Sequence, residues 1–192
     1  MKGIIVGWLF TGLVAFGLFL IPGVDFVGRI LGGTIQNVDV FIASMPGPFG
    51  ALGYLIVTLV ELLLFNTYPL SWVLTWRPWD ALTILLMIVP WICGGLITAA
   101  LVSNGPKDSL FIGIGLIICN ILWCLLFFVV LPGVIINMVA GGMDTTVMAL
   151  LEGLASGLTD MPPGVSAILV QLQGGGLFTG AAIMIGMTKR EE

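Results

Sequence analysis

The chain has 192 residues, of which 59% are hydrophobic; six are Lys or Arg, ten are Asp or Glu, none is His, and the net charge is −4. Soluble domains hold roughly 45–50% apolar residues, so this composition argues for a polytopic membrane protein and against a soluble domain. The lack of a basic block argues against nucleic acid as a partner, and the lack of histidine removes imidazole ligation of haem, a histidine-bearing zinc site and a Ser–His pair.

The first apolar stretch, residues 3–21, follows Lys2 and closes at Pro22-Gly23. It is longer than a signal-peptide core and lacks a small-x-small cleavage step, so it reads as a retained span. Residues 25–45 are too polar to cross. Val27, Ile30, Leu31, Thr34, Val38, Phe41, Ile42 and Met45 nevertheless recur at helical spacing, which predicts an amphipathic helix or a broken pair of helices. The next stretch, 49–66, is long enough to cross a hydrocarbon core of roughly 30 Å, and it contains a carboxylate, Glu61. The segment 67–80 gathers Tyr68, Trp72, Trp76 and Trp79 beside Arg77. Amphipathic rings favour the headgroup layer, so this connection is expected to lie along the interface.

The third stretch, 81–103, carries Pro90 and then Gly94-Gly95, which predicts a kink and a candidate hinge. The fourth, 109–131, has Asn120 near its centre. A second amphipathic segment follows over 134–160, with acidic residues off its apolar face; an interfacial or a re-entrant helix fits it. The fifth stretch, 164–187, holds Gln171 and Gln173 just before Gly174-Gly175-Gly176. Each mid-helix glycine costs about 1 kcal/mol relative to alanine, so a locally unwound turn, a second candidate hinge, is expected there. Cys93, Cys119 and Cys124 lie in apolar runs without metal-ligand spacing and read as small hydrophobes.

The fold expected is therefore all-α: a polytopic bundle of about five transmembrane helices with two amphipathic interfacial or re-entrant helices, in one membrane domain over 1–192. Two halves, 1–66 and 109–187, are joined by the kinked span 81–103. Each half reads span, Pro-Gly-Val, amphipathic segment, Met-Pro, span, the Met-Pro steps being Met45-Pro46 and Met161-Pro162. With five crossings the halves would be inverted, a candidate inverted repeat of the kind found in transporters. An odd count also places the termini on opposite sides, and the distribution of Lys and Arg then favours an N-terminus outside and a C-terminus in the cytoplasm, with the cell membrane as the expected location.

Glu61 lies 13 residues past Pro48, on the order of 20 Å along a helix. An ionisable group at that depth is a functional hypothesis by default, and a structural polar contact is the bland alternative. Glu61, Asn120, Gln171 and Gln173 form the candidate polar site. Amides in lipid usually bond across helices, which is the simpler role for the last three. No catalytic, cofactor-binding or metal residues are expected, and no enzyme activity. The expected role is a structural or accessory subunit of a membrane assembly, whose partners are the bilayer and other membrane helices, in a homo-oligomer or a larger complex. The alternative is a small channel or transporter for a cation, a proton or a small solute.

Overall fold

A computed structural model describes residues 1–21, 24, 26–31, 47–126 and 161–189. Every described element is helical: α1 Lys2–Phe19, α2 Phe26–Leu31, α3 Pro48–Phe65, α4 Leu70–Trp76, α5 Ala81–Val102, α6 Pro106–Leu125 and α7 Pro163–Thr188. Four of them, α1, α5, α6 and α7, are long and apolar enough to cross a membrane. This is a helical membrane protein. The amphipathic segments over 32–45 and 134–160, with the Pro22-Gly23, Met45-Pro46 and Pro132-Gly133 steps, lie outside the described residues.

In α1 the residues facing the protein recur every four positions: Gly3, Gly7, Thr11, Ala15 and Phe19 are buried, while Ile5, Trp8, Leu9 and Leu13 are exposed. Lipid tails are as apolar as leucine, so burial in itself gives helices little reason to associate there; small residues help by letting backbones approach and dispersion contacts form. Gly3 lies against Ile112 and Gly7 against Leu116 and the Phe178 ring, and Gly94 of α5 faces Thr11. Phe178 is fully buried, with its ring at Gly7 and its backbone carbonyl against Gly95, where a Cβ would collide with it.

These contacts fix the direction of each helix. Advancing from Gly3 to Gly7 on α1 advances from Ile112 to Leu116 on α6, so α1 and α6 are parallel. Trp91 and Gly95 of α5 match Gly174 and Phe178 of α7, so these two are parallel as well. Against α6, α7 runs the other way: Gly186, Thr179 and Gly175 meet Ser109, Gly113 and Ile117 in turn. One end of the bundle, the lysine end, thus collects the start of α1, the α5–α6 turn and the end of α7. The opposite, tryptophan end collects the end of α1, α2, the α4–α5 connection and the start of α7.

Two expectations are corrected by this arrangement. The start of α1 and the end of α7 share one end, so the described termini do not lie at opposite ends. The halves that open with α1 and α6 point the same way, so the relation between them is not an inversion. At the glycine-rich steps, α7 is helical straight through Gly174, Gly175 and Gly176 with no unwound turn, and α5 is a continuous helix through Pro90, Gly94 and Gly95. Instead of unwinding, Gly174 gives room to the Trp91 indole and Gly175 to Ile117, while Gly176 faces open space.

Both ends are closed by side chains on helix termini, where four N–H or C=O groups would otherwise lack partners. At the tryptophan end Asp80 caps α5, accepting from Thr83 N at 3.2 Å and Thr83 Oγ1 at 2.6 Å, and it pairs with Arg29 at 3.1 Å. Arg77 Nη1 in turn donates to the Arg29 carbonyl. Burial pushes the Asp80 carboxyl upward, but the Thr83 hydrogen bonds and Arg29 outweigh it and hold the group below its ordinary value. At the lysine end Lys189 Nζ donates to Ala99 O, Ala100 O and Ser103 O at 2.9, 2.8 and 2.8 Å. A cation there also complements the negative end of the α5 dipole.

Candidate functional site

The polar residues of the apolar helices converge on a place where the backbone breaks. Helix α3 enters from the tryptophan end: Glu61 meets Phe26 of α2, and one turn later Phe65 packs between Phe19 and Trp91, with ring centroids 6.0 and 5.7 Å away. The chain then turns at Asn66–Pro69 and returns through α4, which leads by way of Trp79 to the Asp80 cap. Ser71, at the start of α4, bonds Gln173, ten residues into α7. At 1.5 Å per residue that is about 15 Å from the start of α7. The 49–66 stretch therefore forms a helix as expected, but its C-terminus stops inside the bundle.

Backbone that leaves the helix away from water must find partners in the protein. Asn66 Nδ2 donates to Leu62 O at 2.8 Å, and Thr67 Oγ1 donates to Leu64 O at 3.1 Å. Ser166 Oγ donates to Thr67 O. On the α4 side Gln173 Oε1 accepts from Ser71 N at 3.1 Å while its Nε2 donates to Ser71 Oγ at 2.8 Å. Gln171, only 3% exposed, accepts from Asn120 Nδ2 at 2.8 Å and donates from Nε2 to Asn66 Oδ1 at 3.3 Å. The run Asn120, Gln171, Asn66 thus ties α6 and α7 to the end of α3.

Three of the four predicted polar residues, Asn120, Gln171 and Gln173, are therefore brought to one turn. Glu61 is placed elsewhere. It is 3% exposed, and its Oε1 accepts from Phe26 N at 2.9 Å at the start of α2. A carboxylate there satisfies an orphan donor and faces the positive end of the helix dipole. No family, curated protein or solved structure was found to match this chain. The site is accordingly read from its geometry.

Beside the amide run lies a cavity of about 350 Å3. Trp8, Leu9 and Leu13 of α1 form its rim and are 48–60% exposed on the outer face of the bundle. Phe65, Trp91 and Leu116 wall it, and Asn66, Asn120 and Thr11 are its polar lining. The Thr11 hydroxyl is buried and has no hydrogen-bond partner. Among the described residues no group of His, Cys, Asp and Glu is arranged to hold a metal ion.

Asn66, Thr67, Ser71 and Ser166 were missed as site residues. The signal was present in Asn66-Thr67-Tyr68-Pro69, a polar step ending in proline, but the tryptophans that follow drew the whole segment to the interface. Trp76 and Trp79 are indeed 57% and 79% exposed at the end of the bundle, whereas Tyr68 is 2% exposed and Pro69 is buried.

Proposed function

We propose that this protein is a non-enzymatic multi-pass membrane protein acting as a structural or accessory subunit of a membrane assembly. The observation that carries this reading is the engagement of its deep polar groups. Glu61 meets the start of α2, and Asn120, Gln171, Asn66, Gln173 and Ser71 bond one another across the break between α3 and α4. Groups so engaged hold helices together; releasing the two that are buried, Glu61 and Gln171, to coordinate a moving ion would leave buried polar atoms unpaired at about 1–3 kcal/mol each.

In this reading α1, α5, α6 and α7 cross the bilayer, and α3 with α4 is a re-entrant hairpin from the tryptophan end. The lysine end, with Lys2, Lys107 and Lys189, faces the cytoplasm under the positive-inside rule; Arg29 and Arg77 at the other end are engaged with Asp80 and a backbone carbonyl. Both termini are then cytoplasmic. The first half of α3 shows Leu52, Leu55, Ile56 and Leu59 as an exposed apolar surface, which suits a neighbouring membrane helix. Cross-linking from a cysteine placed at Ile56 in native membranes, followed by purification in mild detergent, tests the assignment. A discrete protein adduct is expected; a monomer without adducts or co-purifying subunits would remove it.

A channel or transporter reading is favoured by one feature, the helix break beside a cavity, because discontinuous helices form substrate sites in many transporters.

A further inference from the structure

We infer that the cavity between α1, α3 and α6 is a binding site for an uncharged single-chain lipid ending in a hydroxyl group, of the long-chain alcohol class. The inference does not depend on the accessory-subunit reading.

The volume of about 350 Å3 falls at the lower end of the range for small-molecule sites, roughly 300–1,000 Å3. The rim is made of side chains that a soluble protein would show to water and this one shows to hydrocarbon, so the mouth opens sideways into lipid. An apolar chain entering between Trp8, Leu9 and Leu13 therefore leaves one apolar environment for another. What distinguishes the cavity from an ordinary lipid-facing groove is its polar lining. Asn120 commits Nδ2 to Gln171 and leaves its carbonyl Oδ1 without a partner among the described residues. The Thr11 hydroxyl is packed against Gly94 of α5 and is closed off from the cavity. The Asn120 carbonyl therefore offers the acceptor, which a ligand hydroxyl satisfies by donating.

The charge of the ligand follows from what the walls lack. None of the lining residues is Lys, Arg or Asp, and the chain has no His. A carboxylate or phosphate brought to this depth would be desolvated without a counter-charge, which is far costlier than burying a hydroxyl. A phospholipid tail carries no polar atom at its buried end and would leave the Asn120 carbonyl unanswered.

Gly12 supplies the test. It lines the cavity, and a Cβ built on it meets nothing within 4 Å, so Gly12→Leu adds bulk at the cavity without a clash at its first side-chain carbon. The probe is a brominated long-chain alcohol added to protein in nanodiscs of phosphatidylcholine, read by quenching of tryptophan fluorescence, since Trp8 and Trp91 both border the cavity. Saturable quenching is expected, reversed by excess unbrominated alcohol and weakened about tenfold or more in Gly12→Leu. The brominated fatty acid at mildly alkaline pH is expected to bind at least about tenfold more weakly than the alcohol. Quenching that fails to saturate, or that the unbrominated alcohol does not reverse, would show bulk lipid contact alone and overturn the site. Equal affinity for the carboxylate would overturn the uncharged class. The competition arm uses unaltered protein, so it decides the matter even where Gly12→Leu fails to fold.

Discussion

If Asn120, Gln171 and Asn66 serve to tie helices, removing them must show up as coupled losses of stability. Gln171 takes part in two side-chain bonds, at 2.8 Å with Asn120 and 3.3 Å with Asn66, while Asn120 shares only the first. Interhelical hydrogen bonds in membranes average about 0.6 kcal/mol and reach about 1.7. Gln171→Leu is therefore expected to cost about 1–3 kcal/mol, counting the two amides it leaves short of a partner, and Asn120→Leu about 0.6–1.7 kcal/mol. The double variant should cost less than the sum of the two, because removing the second amide of a broken pair leaves nothing further orphaned. The difference, about 0.6–1.7 kcal/mol, is the coupling. Equilibrium unfolding by titration of a denaturing detergent into mixed micelles, followed by tryptophan fluorescence, supplies all three values. Additive effects, with coupling below about 0.3 kcal/mol, would refute the tie, as would a Gln171→Leu protein as stable as the native one.

Other consequences follow from the same contacts. Gly174→Ala places a methyl into the Trp91 indole and should destabilise, whereas Gly176→Ala meets open space and should gain up to about 1 kcal/mol from helix propensity; the same unfolding titration separates them. Because the folded Asp80 carboxyl is held below its ordinary value of 3.8, its contribution is complete above that pH and is lost as pH falls through the lower folded value. Stability measured from pH 6 down to 2 should fall in that window for the native protein, with a smaller fall for Asp80→Asn. Lys189→Met should cost about 1 kcal/mol by freeing the three carbonyls at the end of α5. Cysteines introduced at Lys2 and at Lys107 should react with a membrane-impermeant maleimide from the same side of a sealed vesicle, and labelling from opposite sides would contradict the parallel packing of α1 and α6.

Much of this fold is legible in the residues themselves. The apolar runs that become α1, α5, α6 and α7 stand out by length, and Gly3 and Gly7, four residues apart, offer a flat face for close helix approach. Direction was less legible, because it hung on whether 49–66 crosses to the far side. Hydropathy measures the length of an apolar helix but not where its end lies, and α3 is long enough to cross while its end is held inside by Asn66, Thr67 and Ser166. One helix placed differently changes the parity of the topology, and with it the sides of the termini and the sense of the repeat. The glycines misled for a related reason. Propensity assigns a penalty to Gly174-Gly175-Gly176, but only packing shows that Trp91 and Ile117 occupy the space the missing side chains leave. Asn120, Gln171 and Gln173 could be named as interior polar groups; that they meet around a turn required knowing that the turn was there.

Glu61 carries the sharpest distinction between a protein that holds an assembly together and one that conducts. Reconstituted into liposomes, the native protein is expected to give no flux of protons, monovalent cations or small neutral solutes above protein-free vesicles, and Glu61→Gln is expected to leave that result unchanged while lowering stability through the weakened contact with Phe26 N. Robust flux in the native protein that Glu61→Gln abolishes would contradict the account.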